Sequence, residues 1–113
     1  MIPMSCDWYA YVVVRSDLAI ADLIVQVGHA CLAAGSHRAQ PNPPVNLVVL
    51  AVPSADALGA VLEDARLAGV CMTAFIEPDR SLGLTAACSE PVQGNRRRCF
   101  RKRSAFSRSQ RCS

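Results

Sequence analysis

The sequence predicts a single α/β domain: a four-stranded, mostly parallel mixed sheet with helices packed on its faces. Three observations predict this fold. Apolar, β-branched runs alternate with segments of helical period, in the order β-α-β-α-β-β. Capping residues and glycines mark where the helices begin and end. A length of 113 residues suits one domain built around one hydrophobic core.

The first half of the chain predicts a strand, a helix and a second strand. YAYVVVR (9–15) is a β-branched run typical of a buried strand. Asp17 is expected to cap the following helix, which stops at Gly35. The Pro, Asn and Ser content of 36–44 indicates a loop, and VNLVVLAV (45–52) indicates the second strand.

The second half predicts one more helix and two more strands. Ser54 caps a helix that ends at Gly69, and VCMTAFI (70–76) forms the third strand. The turn EPDRSLG leads to a short fourth strand, LTAACS (84–89), which its short connection makes antiparallel. Three residues are expected on one face of this strand, namely Thr85, Ala87 and Ser89.

Charge divides the chain into an N-terminal lead (1–8), the α/β domain (9–95) and a basic tail (96–113). Residues 1–95 hold four Arg against nine Asp and Glu, whereas the tail holds eight basic residues and no acid. This composition predicts a disordered tail with RNA affinity as a side effect. Two alternatives remain open: a dedicated RNA-binding tail with interleaved Phe, and an out-of-frame end.

Composition also narrows the class of protein. No apolar run approaches the roughly 20 residues of a membrane helix, and the first residues lack a secretory pattern. We therefore expect a cytoplasmic protein without membrane contact. Six cysteines occur without a C-x-x-C pair, so we expect reduced thiols, no metal site and no cofactor.

Polar residues follow one stripe of the first predicted helix. Asp22, Gln26 and His29 fall within about 60° of one another, opposite Ile20 and Ile24. Ligands bind at the carboxyl ends of parallel strands in such sheets. We therefore expect Asp22 and Gln26 to point outward at that edge, among the side chains that follow strands one and three, namely Arg15, Asp17, Glu77 and Asp79.

Four segments, in order, resemble the archaeal-type (second class) peptidyl-tRNA hydrolases. VVVRSDL (12–18) resembles that family's first strand and turn, and QVGHA (26–30) resembles its Gln-x-x-His-Ala helix motif. LAGV (67–70) resembles the approach to its third strand. Asp79, with TAACSEP beginning at Thr85, resembles its Asp loop and final strand. The resemblance covers roughly residues 9–92 and implies a divergent, bacterial-like member.

The resemblance implies hydrolysis of the ester between a peptide and tRNA. Its motif positions assign catalysis to Gln26, His29, Asp79 and Thr85. The Asp carboxylate is expected to orient or deprotonate water, the Thr and Gln to hydrogen-bond the ester or ribose, and the His to position a neighbour or transfer a proton. Substrate binding is assigned to Arg15, Asp17, Asp22 and Arg80. The implied partners are tRNA and a second copy of the chain in a homodimer.

Two departures from the family pattern favour an alternative function. Asp22 stands where the family carries a lysine, four residues before the motif Gln. The loop between Asp79 and Thr85 is also shorter than in the family. The alternative is a catalytically silent relative that acts as a tRNA-binding or dimerisation module.

Overall fold

The centre of the sheet is strand β1, Tyr9–Arg15, which pairs in parallel with β2, Asn46–Val52. The computed structural model describes residues 7–36 and 45–101, together with the backbone of residues 104–105. Side chains alternate along β1, so Val12 and Val14 pack into one apolar layer and Tyr11 and Val13 into the other. Buried contact on both sides explains why this strand is a continuous apolar run.

Strand β4, Gly83–Ser89, lies between β1 and β3, Met72–Glu77, and is antiparallel to both. A two-residue strand β5, Ser104–Ala105, pairs with β2. The strand order among the described residues is therefore β3-β4-β1-β2-β5. The predicted α/β class, the element order, the mixed sheet and the antiparallel fourth strand are confirmed, and β5 adds a short edge that the sequence did not predict.

Helices cover both faces of this sheet. Helix α1, Ile20–Ser36, packs against one face, and α2, Ala55–Leu67, packs against the other. Ser54 caps α2 as predicted, because its Oγ accepts a hydrogen bond from the Ala57 N–H at 3.1 Å. Gly69, at a φ of +74°, reverses the chain after α2. Among the described residues, no helix combines the length and the apolarity needed to cross a membrane.

The orientation of α1 differs from the prediction. Its inward side carries Leu23, Gln26, Ala30 and Ala34, whereas Ile20 and Ile24 are 53% and 64% exposed. The small alanines bring the helix close to the equally small Ala86 of β4. The expectation that Gln26 points outward is wrong, because its side chain is 2% exposed.

Asp17 does not cap α1. The helix begins at Ile20, and the Asp17 carboxylate instead accepts two hydrogen bonds from Arg15, each 3.0 Å long. An ion pair with two parallel hydrogen bonds is a stronger partner for the carboxylate than one backbone N–H.

The folded domain continues past residue 95, where the basic tail was expected to begin. Gly94–Arg97 forms a 3-10 turn and Arg98–Arg101 forms one turn of helix, α3. Phe100 is 1% exposed and stacks on Tyr11 with ring centroids 4.3 Å apart. Residues 96–101 are therefore part of the core-forming chain. Tail residues Ser104–Ala105 form β5. The predicted disorder of the remaining tail residues, 102–103 and 106–113, lies outside the described residues, as do the lead before residue 7 and the loop at 37–44.

Candidate functional site

A hydrogen-bonded chain of three side chains joins α1 to the two strands at the predicted edge. Thr85 Oγ1 donates to Gln26 Oε1 at 2.6 Å, and Gln26 Nε2 donates to Glu77 Oε1 at 2.7 Å. Thr85 and Gln26 are both buried, at 0% and 2% exposure. The amide is therefore satisfied on both its oxygen and its nitrogen, as a buried polar group must be.

A β-bulge places Thr85 in this chain. Phe75 pairs with Ala86 and Ile76 pairs with Leu84, so Thr85 is an extra residue in β4. A bulge turns the side chain of the inserted residue away from regular alternation. The predicted shared face is therefore wrong: Ala87 packs in the apolar layer beneath α2, whereas Thr85 reaches Gln26 of α1.

Of these three hydrogen-bonded side chains, Glu77 is the one that was not among the predicted catalytic or substrate-binding residues. The hydrogen bond from Gln26 lowers the pKa of the Glu77 carboxyl. A second hydrogen bond, from the Asp79 N–H to Glu77 Oε2 at 3.3 Å, lowers it further. His29 and Arg80 lower this pKa further through their charge. The carboxylate is therefore ionised at neutral pH. Its place at the carboxyl end of β3 was visible in the sequence, but its partnership with Gln26 was not.

His29 lies at the exposed rim of the same group. Its imidazole stacks on the Phe75 ring, with centroids 4.5 Å apart and the planes 10° from parallel. The charge of His29 contributes to the lowered pKa of the Glu77 carboxyl. The stack holds the imidazole in one orientation while leaving it open to solvent.

Asp22 and Arg80 form an ion pair across the mouth of the edge. The guanidinium donates to the two carboxylate oxygens at 2.6 and 3.2 Å, and it lowers the pKa of Asp22. Arg80 adopts a left-handed backbone with a φ of +54°, which places its side chain toward the start of α1. The pair joins α1 to the turn between β3 and β4.

Arg15 fixes that turn from the other side. Its Nη1 donates to the carbonyl oxygens of Leu82 and Leu84 at 2.7 and 3.1 Å. Its remaining contacts are the two hydrogen bonds to Asp17, and Arg15 lowers the pKa of that carboxyl. The guanidinium is therefore committed to structure, and its role here is to hold the β3–β4 turn in place.

The structure brings most of the predicted site residues to one edge. Gln26 and Thr85 are joined directly, and His29 stacks on Phe75 of β3. The Asp22–Arg80 pair joins α1 to the β3–β4 turn, which Arg15 of the Arg15–Asp17 pair also contacts. Asp79 enters through its backbone N–H, and its side chain is exposed to solvent. Within residues 7–36 and 45–101, no group of three or more His, Cys, Asp or Glu side chains is arranged to hold a metal ion.

Comparison with known proteins gives a fold relative only. No family model matches the chain, and no curated protein matches it. A solved structure of a protein of unknown function from Agrobacterium tumefaciens strain C58 is similar, with a TM-score of 0.65 and 10% sequence identity. The match covers 88% of this chain and 98% of that one. At this identity the similarity supports the shared fold alone.

Proposed function

We propose that the chain is a cytoplasmic hydrolase of the ester that joins a peptide to tRNA, the activity implied by the resemblance of its sequence segments. One observation carries the proposal: residues from the resembling helix and final-strand segments, Gln26 and Thr85, meet through a 2.6 Å hydrogen bond. The same site contains the ionised Glu77 carboxylate and the exposed His29 imidazole, and enzymes use both types of group in ester hydrolysis.

In this mechanism His29 is the general base. Water attacks the ester carbonyl carbon while the imidazole takes one of its protons, and the imidazolium returns that proton to the departing ribose oxygen. The ionised Glu77 carboxylate supplies negative charge to this site while the ring carries the proton. Gln26 and Thr85 act as positioning residues, because they are buried and hold the Glu77 carboxylate.

Arg80 supplies positive charge to the oxyanion in place of the family's lysine. Its side chain is 62% exposed, whereas Arg15 is held by two carbonyl oxygens and Asp17. Binding of an anionic substrate at this guanidinium competes with Asp22, which now accepts its hydrogen bonds.

The tRNA backbone would meet the arginines at the opposite end of β1. Arg98 and Arg101 are exposed on α3, and the Arg97 guanidinium lies 3.4 Å above the Tyr9 ring. Six residue steps along β1 separate this end from Arg15, a distance of about 20 Å. Phosphate contacts at these arginines would fix the position of the nucleic acid on the protein.

The test is release of the N-acylated amino acid from a model N-acetyl-aminoacyl-tRNA. His29→Ala is expected to lower the rate by at least about 100-fold, and Glu77→Gln by about 10-fold or more, with the far-UV circular dichroism unchanged. The matched control is Glu63→Gln, an exposed carboxylate paired with Arg66 on the other face of the sheet. Wild-type release no faster than the tRNA blank, from demonstrably folded protein, would refute the proposed activity.

A second measurement addresses tRNA binding alone. Arg98→Gln with Arg101→Gln is expected to weaken tRNA affinity and to reduce the slope of log affinity against log salt by about 1–2. The matched control is Arg66→Gln, which removes an exposed arginine of α2 that is already paired with Glu63. Equal slopes for both variants would exclude α3 from tRNA binding.

The alternative function is a catalytically silent relative that binds tRNA or forms a homodimer. The Asp22–Arg80 ion pair favours it, because the arginine is already neutralised by a carboxylate. The exposed apolar side chains of α1 offer surface for a second copy, namely Ile20, Ile24, Val25 and Leu32. Absent turnover together with retained tRNA affinity, or a doubled mass in sedimentation, would establish this alternative.

A further inference from the structure

A second group of reactive side chains lies along the same two elements, farther from the candidate site. Cys31 follows Gln26 by five residues on α1, and Cys88 follows Thr85 by three residues on β4. Both cysteines line a cleft of about 330 Å³. Cys31 is half-buried and Cys88 is 4% exposed.

The two cysteines border the same cleft and belong to the same apolar layer between α1 and β4. The Cys88 thiol donates to the Ser89 carbonyl oxygen at 3.6 Å. Hydrogen bonding with the Cys88 side chain lowers the pKa of Cys31 to about 7. The thiolate is the nucleophilic form of cysteine, and a neighbouring hydrogen-bond donor favours it over the thiol because the donor stabilises its negative charge. Cys31 therefore carries a substantial thiolate fraction at neutral pH, directly beside a second thiol.

The cleft gives a small reagent access to this pair. Its other lining residues are small or apolar, among them Ala10, Ala34 and Leu47. A small neutral molecule enters such a cleft more readily than an ion, because no charge must be desolvated. A peroxide has this size and neutrality.

We propose that Cys31 and Cys88 form a peroxide-reactive dithiol that closes to a disulfide between α1 and β4. The Cys31 thiolate attacks one oxygen of the peroxide, the O–O bond breaks, and Cys31 becomes a sulfenic acid while the other oxygen leaves as hydroxide and takes up a proton. The Cys88 sulfur then attacks the Cys31 sulfur, the S–O bond breaks, and the thiol proton leaves in water. Two thiols lose two electrons, and one peroxide becomes two waters.

This disulfide links the same elements as the Gln26–Thr85 hydrogen bond. It closes a long loop between residues 31 and 88, so it constrains the unfolded chain strongly. Oxidised protein is therefore expected to melt roughly 10 °C higher than reduced protein. The proposal is independent of ester hydrolysis.

The test is peptide mapping of the full chain after treatment with one equivalent of hydrogen peroxide and alkylation of the remaining thiols. We expect a cross-linked pair of peptides that contains Cys31 and Cys88, reversed by dithiothreitol. In Cys88→Ser the reaction stops at the sulfenic acid of Cys31, which dimedone captures. Cys71→Ser is the matched control, because Cys71 is exposed and lies outside the cleft, so this variant keeps the cross-link.

Three outcomes would overturn the proposal. The first is a cross-link that joins either cysteine to another partner. The second is a Cys31 that reacts no faster than Cys71. The third is oxidation of Cys31 to the sulfinic acid while Cys88 keeps its thiol. If Cys88→Ser does not fold, the wild-type peptide map alone separates these outcomes from the expected one.

Discussion

Thr85→Val tests whether the buried chain of hydrogen bonds stabilises the edge of the sheet. Valine has nearly the shape of threonine and suits a strand, so the substitution removes the hydroxyl without leaving a cavity. Gln26 Oε1 then loses its 2.6 Å donor while its side chain stays 2% exposed. Water cannot replace the donor at such a position without structural rearrangement.

The expected loss follows from that geometry. A buried acceptor left without a donor costs about 1–3 kcal/mol, so we expect Thr85→Val to lower the free energy of unfolding by about 2 kcal/mol. For a domain of this size, that loss lowers the Tm by about 10 °C. Thr85→Ser keeps the hydroxyl and loses one methyl group, so it is expected to cost about 1 kcal/mol.

Urea unfolding followed by circular dichroism measures these values, and a double-mutant cycle isolates the hydrogen bond. Gln26→Met combined with Thr85→Val replaces both partners by apolar groups, so the double variant is expected to lose at least about 1 kcal/mol less than the sum of the single losses. Additivity within about 0.5 kcal/mol would refute the claim that this bond is coupled and buried. So would a Thr85→Val protein as stable as the wild type.

Two further predictions concern Glu77 and Phe100. The pKa of Glu77 is lowered by folding, so its stabilising effect is present above its ordinary value of 4.5 and is lost as the pH falls through the lowered value. The difference in unfolding free energy between wild type and Glu77→Gln is therefore expected to be constant near neutral pH and to shrink below about pH 4.5, as urea titrations across pH will show; a difference that persists unchanged in acid contradicts it. Phe100→Ala is expected to cost about 3 kcal/mol or more, since the ring is 1% exposed, whereas the exposed Arg101→Ala is expected to stay within about 0.5 kcal/mol of wild type. Equal urea midpoints for these two variants would mean that α3 does not pack on the core.

Local sequence patterns predicted the strands and helices well because each pattern is compatible with only one type of secondary structure. The valine run of β1 and the Ser54 cap of α2 both have a single structural interpretation, and both are confirmed. Helix α1 has two apolar stripes, one with Ile20 and Ile24 and one with Leu23 and Ala30. Hydropathy favours the first stripe, but close packing against β4 selects the second, with its smaller residues.

The candidate site was predictable in position but not in detail. Ligands bind at the carboxyl ends of parallel strands in such sheets, and this generalisation indicated the edge at which Gln26, Glu77 and Thr85 meet. Their contact depends on a bulge, whose extra residue cannot be read from the alternation of β4. The burial of Phe100 was not predicted because the residue lies within a run of arginines, which has no pattern of apolar residues to indicate a core position.

The position of β4 in the sheet affects when the nascent chain can fold during translation. β4 is the last of the long strands to leave the ribosome, yet it lies between β1 and β3. A nascent chain that ends before residue 83 leaves both neighbouring strands with unpaired backbone groups, which attract other extended chains. We therefore expect the sheet to close after translation has passed residue 89, and stalled fragments of this protein to aggregate or to be degraded rather than fold.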